Sequence, residues 1–238
     1  MKAICTPRKS INADRLSRLR RKLLTWFASN GRQFPWRNAS ASPYVQLVVE
    51  VLLQRTRAEM VAAFLPRFLN EYPEWDALAE SSLPKLSADL QPIGLWRRRA
   101  PLLQKLAKEL VRRELTWPQD RGELELLPAV GQYVANAALL FIYGEPHPLM
   151  DASMARLLRR YFAMFPEKQD IRYDAALHAL AYRLLRRGDA VALNWAILDV
   201  AACFCTLHNP KCAECPLKRS CDQARSAISV VRESCSRA

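Results

Sequence analysis

Residues 42–56 read SPYVQLVVEVLLQRT, and the way this run folds decides the class of the whole chain. It is rich in β-branched residues and almost continuously apolar, so periodicity alone also fits a buried strand. Two features favour a helix. Ser42 before Pro43 offers a side-chain N-cap with proline at the first helical position, and the run is long for a strand. Read as a buried helix, it leaves no convincing strand elsewhere, and the fold class is all-α. Working outward, an amphipathic helix is predicted over 13–27, with Leu16, Leu19, Leu23, Leu24 and Phe27 on one face and Gly31 as its stop. Further helices are predicted near 57–71 (with a bend at Pro66), 83–89, 95–113, 121–127, 132–143, 152–163, 172–186 and 189–203. Only 6 Gly stand against 15 Pro among long Leu, Ala and Arg stretches, which also speaks for helices.

With 238 residues, 50% of them hydrophobic and 25% charged, the chain has enough apolar material for a core, and disorder is excluded as its main state. One or two compact domains follow from the length. The balance of 36 basic and 23 acidic residues gives a net charge of +13. That favours a polyanionic partner, nucleic acid first and an anionic membrane surface second. No run approaches the roughly 20 apolar residues of a membrane helix. The start, MKAICTPRKS, lacks the apolar centre of a signal peptide and reads as a basic tail. The expected compartment is therefore cytosolic and reducing, where 7 cysteines are not expected to pair as disulfides. Four of them form Cys205-x6-Cys212-x2-Cys215-x5-Cys221, in a polar segment of 17 residues with two prolines. Thiolates suit zinc or an iron–sulfur cluster. Zinc sites more often pair two C-x2-C knuckles, and this box has one. Cys5, Cys203 and Cys235 fall outside the pattern.

The 6-2-5 spacing resembles the [4Fe–4S] loop of endonuclease III-like DNA glycosylases. LLPAVGQYVANAALL (126–140) looks like that family's helix–hairpin–helix, usually built on LPGVG. GEPHPLMDASMARLL (144–158) resembles its Gly/Pro-rich loop ending in a catalytic aspartate, and FPWR, SPYVQLVVEVLLQRT and IGLWRRRA match as well. The resemblance covers roughly residues 22–221. It implies two helical domains flanking a DNA cleft. One is a helical barrel with the helix–hairpin–helix over 42–148; the other, over 1–41 and 149–238, holds a [4Fe–4S] cluster on Cys205, Cys212, Cys215 and Cys221. The partner it implies is double-stranded DNA containing a mispaired or modified base. It implies no membrane, a monomer, and a cytoplasmic, nucleoid-associated location.

The same resemblance assigns residues. The hairpin residues Leu127, Ala129, Val130 and Gly131 would meet a DNA phosphate through backbone N–H groups, as a helix N-terminus can. Pro128 stiffens that turn, and Ala129 stands where glycine is usual. Asp151 matches the catalytic aspartate, which stabilises the oxocarbenium-like sugar or activates the attacking water. Read from the residues alone, it is an N-cap for ASMARLLRRYF, and both roles are compatible. Gln46, Glu50 and Gln54, four apart, line one helical stripe. By itself that stripe fits a solvated face equally well; by resemblance, Gln46 and Glu50 face a flipped base. An apolar setting would raise the Glu50 pKa and keep it a proton donor. Gln54 would fill the gap left by the extruded nucleotide, and Arg55 would contact the opposite strand. Tyr133 stands where bifunctional members carry a lysine, so a monofunctional enzyme that leaves an abasic site is implied; alone, it reads as a core aromatic. Tyr133 with Glu50 resembles thymine glycosylases acting on G·T and G·U. Adenine glycosylases are the rival, although Trp195 replaces a polar residue usual there. A modified-base glycosylase and a catalytically silent DNA-binding protein stay open.

Overall fold

The structure, a computed structural model, describes residues 11–38, 41–165 and 170–226. Cys5, Cys235 and the basic N-terminal tail lie outside the described residues. Among these there are eleven α-helices and no strand: α1 (Ala13–Asn30), α2 (Pro43–Leu52), α3 (Ala58–Glu71), α4 (Trp75–Glu80), α5 (Leu83–Leu90), α6 (Trp96–Arg112), α7 (Arg121–Leu126), α8 (Gln132–Phe141), α9 (Ala152–Phe162), α10 (Ala175–Leu185) and α11 (Ala190–Cys203). The chain divides into two compact units, one over 33–145 and the other joining the N-terminal residues up to Arg32 with those from Pro146 onward. Among the described residues no helix is long and apolar enough to cross a membrane.

The unit over 33–145 is built around α2, and the decisive run is a helix. Ser42 Oγ accepts from Val45 N–H at 3.3 Å, and Pro43 sits at the first helical position. Tyr44 and every residue from Leu47 to Leu52 are buried, so the helix is enclosed on nearly all sides, which explains why its sequence lacks clean amphipathic spacing. It packs on α8, where Ala135, Ala137 and Ala138 let the backbones approach closely. α4 and α5 pack on α6. The sequence gives no sign of α4. It is a six-residue helix without a side-chain N-cap, held through buried Trp75 and Leu78, with Trp75 edge-on to Tyr44 at 4.9 Å. Segment 33–38 also belongs here, because the 3₁₀ turn Pro35–Arg37 packs on α2; the sequence reading grouped it with α1. Pro66 and Pro101 sit inside α3 and α6 without ending them.

In the other unit, α1 lays Leu16, Leu19 and Leu23 against α9, α10 and α11. It runs three residues past the predicted end, to Asn30, before Gly31. Gly31 has an ordinary φ of −58°, so handedness does not require glycine. A Cβ there would lie 2.7 Å from the Phe27 ring, and the close approach does. After the turn, Arg32 donates through its backbone N–H and Nε to fully buried Asp199 of α11, at 2.9 and 2.8 Å.

Candidate active site and cysteine segment

The hairpin lies in the unit over 33–145. Asp120 caps α7, whose last carbonyls are taken up as the chain turns: Leu127 N–H donates to Leu124 O and Val130 N–H to Leu127 O. Ala129 adopts φ +62°, the left-handed conformation that costs a non-glycine residue roughly 1–2 kcal/mol. Leu127 and Val130 are each 4% exposed, so their side chains anchor the turn and only their backbone can face a partner. Gly131, exposed, is the N-cap of α8 and makes no side-chain cap bond. A Cβ on it would meet nothing within 4 Å, and its φ of −96° is ordinary. The free fold therefore does not require glycine there; its absence of side chain leaves the N-terminus of α8 open to an anion. Arg121 braces the two helices through Asn136 Oδ1 at 2.7 Å. Tyr133, in the first turn of α8, is half-buried.

Gln46, Glu50 and Gln54 do not form the continuous stripe expected. Glu50 is 5% exposed and Gln46 half-buried, but α2 ends at Leu52, and Gln54 and Arg55 sit exposed in the turn beyond it. Arg55 is left-handed at φ +58°. The helix stops here because Arg99, 5% exposed on α6, takes its terminal carbonyls. Its Nη2 donates to Leu52 O (3.2 Å), Gln54 O (2.9 Å) and Thr56 Oγ1 (3.0 Å), and its Nη1 to Ile93 O and Gly94 O. No acidic partner is among these acceptors, and burial lowers the Arg99 pKa. This guanidinium pins the loop that presents Gln54 and Arg55, a role hidden inside the run RRR at 97–99, which reads as a solvated face.

Asp151 lies in the other unit. It is the N-cap of α9, its Oδ1 accepting from Met154 N–H at 2.7 Å. Burial raises its pKa, opposed by the backbone bonds to Met154 and Ser153 and by the charge of Arg156. The approach to it is fixed by Asn194, a fully buried residue of α11. Its Oδ1 accepts from Leu149 N–H at 2.8 Å, and its Nδ2 donates to His147 O at 3.1 Å and Ala190 O at 2.9 Å. One side chain thus clamps the extended loop two residues before the aspartate. An asparagine in the apolar run ALNWAIL was the available signal. Trp195 beside it is half-buried.

The helix that Asp151 caps also holds the start of the cysteine segment. Arg156 Nε donates to Cys205 O at 2.6 Å, and Arg160 donates to Thr206 O at 2.6 Å and Leu207 O at 3.0 Å. Arg160 Nη1 also approaches Cys205 Sγ at 3.5 Å. Cys205, Cys215 and Cys221 pack against the core of this unit. Burial, and then the charges of neighbouring cysteines, raise the thiol pKa of Cys212, Cys215 and Cys221, with Cys215 pushed up to about 11. Among the described residues no group of three or more His, Cys, Asp or Glu is arranged to hold a metal ion. Four cysteine sulfurs are a donor set that suits either a tetrahedral zinc ion or a four-iron cluster with one thiolate at each iron.

An all-helical fold, a helix–hairpin–helix with an open helix N-terminus, and a carboxylate-capped helix following it in sequence define a base-excision DNA glycosylase. Residues 48–181 match the HhH-GPD superfamily base excision DNA repair protein family, and the chain belongs to it. The thymine/uracil-DNA glycosylase of Pyrobaculum aerophilum is 37% identical over 205 residues, covering 84% of this chain and 89% of the relative. The thymine-DNA glycosylase of Aeropyrum pernix is 34% identical over 215 residues, covering 89% and 96%. Adenine DNA glycosylases are similar at greater distance. Among solved structures, a thermostable thymine-DNA glycosylase superposes with a TM-score of 0.81 at 28% identity, covering 90% of this chain and 98% of that one.

Proposed function

We propose that the protein is a monofunctional glycosylase that hydrolyses the N-glycosidic bond of thymine or uracil opposite guanine in duplex DNA. The observation that carries the reading is the phenol of Tyr133 in the first turn of α8, where an amine would be needed to cut the strand, beside the separate finding of a carboxylate, Asp151, at the N-cap of α9. Cleavage builds positive charge on the sugar and negative charge on the departing base. The ionised Asp151 carboxylate stabilises the first and orients the water that attacks C1′. Glu50, an acidic group enclosed by the apolar residues of α2, serves the base, with Gln46 and Tyr133 completing its pocket. Gln54 occupies the gap left in the stack, and Arg55 grips the opposite strand. The backbone N–H groups around Ala129 and Gly131 take a phosphate. The similarity to thymine/uracil glycosylases supports the choice of base.

Cys205, Cys212, Cys215 and Cys221 are proposed to hold a [4Fe–4S] cluster. When bound, it supplies a cross-link to a segment with little regular structure. The protein is read as a monomer acting on cytoplasmic, nucleoid DNA. Single-turnover base release over G·T, G·U, A·8-oxoguanine, A·G and modified-cytosine duplexes tests the assignment. Thymine and uracil opposite G should be released fastest, and Glu50→Gln should slow them. If adenine opposite 8-oxoguanine leaves faster than thymine opposite G, the thymine reading fails.

The absence of a lysine at 133 has its own consequence. A phenol cannot form a Schiff base at C1′, so borohydride should not trap the wild-type protein on substrate DNA. Strand breaks should appear only after alkali or heat. Efficient trapping would mean that another amine attacks the sugar.

A further inference from the structure

The buried guanidinium of Arg99 reaches beyond the end of α2. Its five acceptors lie in two turns that are distant in the chain, one over 52–56 and the other at 93–94 before α6. Thr56 joins the same two turns: its Oγ1 accepts from Arg99 Nη2 at 3.0 Å and donates to Ile93 O at 3.2 Å. Next to each set of acceptors stands a non-glycine residue in the left-handed conformation, Arg55 at φ +58° and Leu95 at φ +54°. Such residues persist where their surroundings over-determine them, and they gather at functional sites.

A buried arginine is ordinarily a structural brace with a carboxylate partner. The acceptors of Arg99 are instead four backbone carbonyls and one hydroxyl. Neutral dipoles compensate a buried charge less well than a carboxylate does, so this is a costly way merely to end a helix. A left-handed glycine would end α2 without burying a charge. What the guanidinium adds is its rigid planar fork, which fixes both turns at once. One of the carbonyls it holds belongs to Gln54, whose side chain is exposed beside that of Arg55.

We infer that Arg99 is a positioning residue for nucleotide extrusion, holding the 52–56 turn in shape before DNA arrives so that Gln54 enters the base stack from a preset loop. Ordering a loop at the moment of binding subtracts from the energy available to unpair and unstack a nucleotide, and a preset loop avoids that loss. The inference rests on the role proposed above for Gln54, and not on which base is removed.

Single-turnover base release by the full-length protein tests it on two substrates. One holds the target base paired in a duplex; the other holds the same base as a single-nucleotide bulge, with no partner to leave. The target is whichever base the wild type releases fastest. Arg99→Lys keeps the charge and loses the fork; it should slow the paired target roughly tenfold or more and leave the bulged one within about threefold of wild type. Thr56→Val loses only the bridging hydroxyl and should show the same selectivity more weakly. Gln54→Ala should slow the paired target, and adding Arg99→Lys to it should slow that target little further, because both act through one side chain. Thermal melting establishes that each variant is folded at the assay temperature; if Arg99→Lys is not, Thr56→Val decides. Equal slowing of both substrates would make Arg99 a brace alone and overturn the inference. If Gln54→Ala leaves the paired target unaffected, the role of Gln54 fails and the inference with it. If Gln54→Ala slows that target while Arg99→Lys and Thr56→Val do not, the inference alone fails.

Discussion

Asp151→Asn is expected to slow single-turnover base release by at least about 10²–10³, or roughly 3–4 kcal/mol of transition-state stabilisation, while fold and DNA affinity survive. The substitution keeps an oxygen for the Met154 N–H that Oδ1 now receives at 2.7 Å, and asparagine caps helices as well as aspartate does. What it removes is charge. The sign of the pH effect follows from burial, which raises the Asp151 pKa above the ordinary 3.8. The folded state thus binds its proton more tightly than the unfolded chain. Stability from this group is fullest below the unfolded pKa and is lost as pH rises through the folded pKa. At neutral pH the ionised carboxylate costs stability, and Asp151→Asn should melt no lower than the wild type. Activity runs the other way, since only the ionised form stabilises a cation. The acid limb of the rate should lie above pH 3.8 in the wild type and vanish in the variant. A variant that keeps the wild-type rate and its acid limb would remove Asp151 from the reaction.

The parts of the structure that were legible are those written locally. Ser42 and Pro43 announce the start of α2, and Gly31 the end of α1. The turn at 126–131 was legible as a turn, although the sequence cannot show that Leu127 and Val130 spend their side chains on the core. What was missed depends on residues distant in the chain. The end of α2 is set by Arg99, 45 positions after Gln54, so local periodicity carried the Gln46–Glu50–Gln54 stripe one turn too far. The clamp on the loop before Asp151 comes from Asn194, 45 positions after Leu149. α4 lacks a cap of its own and exists because Trp75 and Leu78 are buried by α6 and its neighbours. Each of these is a tertiary contact overriding or supplying what propensity does not.

Cys212→Ser or Cys215→Ser is expected to leave the protein colourless, with about four irons lost per chain. The segment from Cys205 to Cys221 makes few regular backbone bonds, and its early part hangs on Arg156 and Arg160 of α9. Removing the cross-link frees a closed loop of 17 residues, worth about 3 kcal/mol if it behaves like a disulfide loop of that size. For a chain of 238 residues that is a fall of about 6–12 °C in melting temperature. Acid should favour loss of the cluster, because its ligands must be thiolates and protons compete with the metal for them. Cys5→Ser and Cys203→Ser should keep both colour and stability. Base release should fall along with the iron, since the helix whose arginines hold the cluster loop is the one that Asp151 begins. A colourless wild type carrying one zinc would overturn the cluster, and variants that lose iron yet keep full base release would show that α9 holds Asp151 without it.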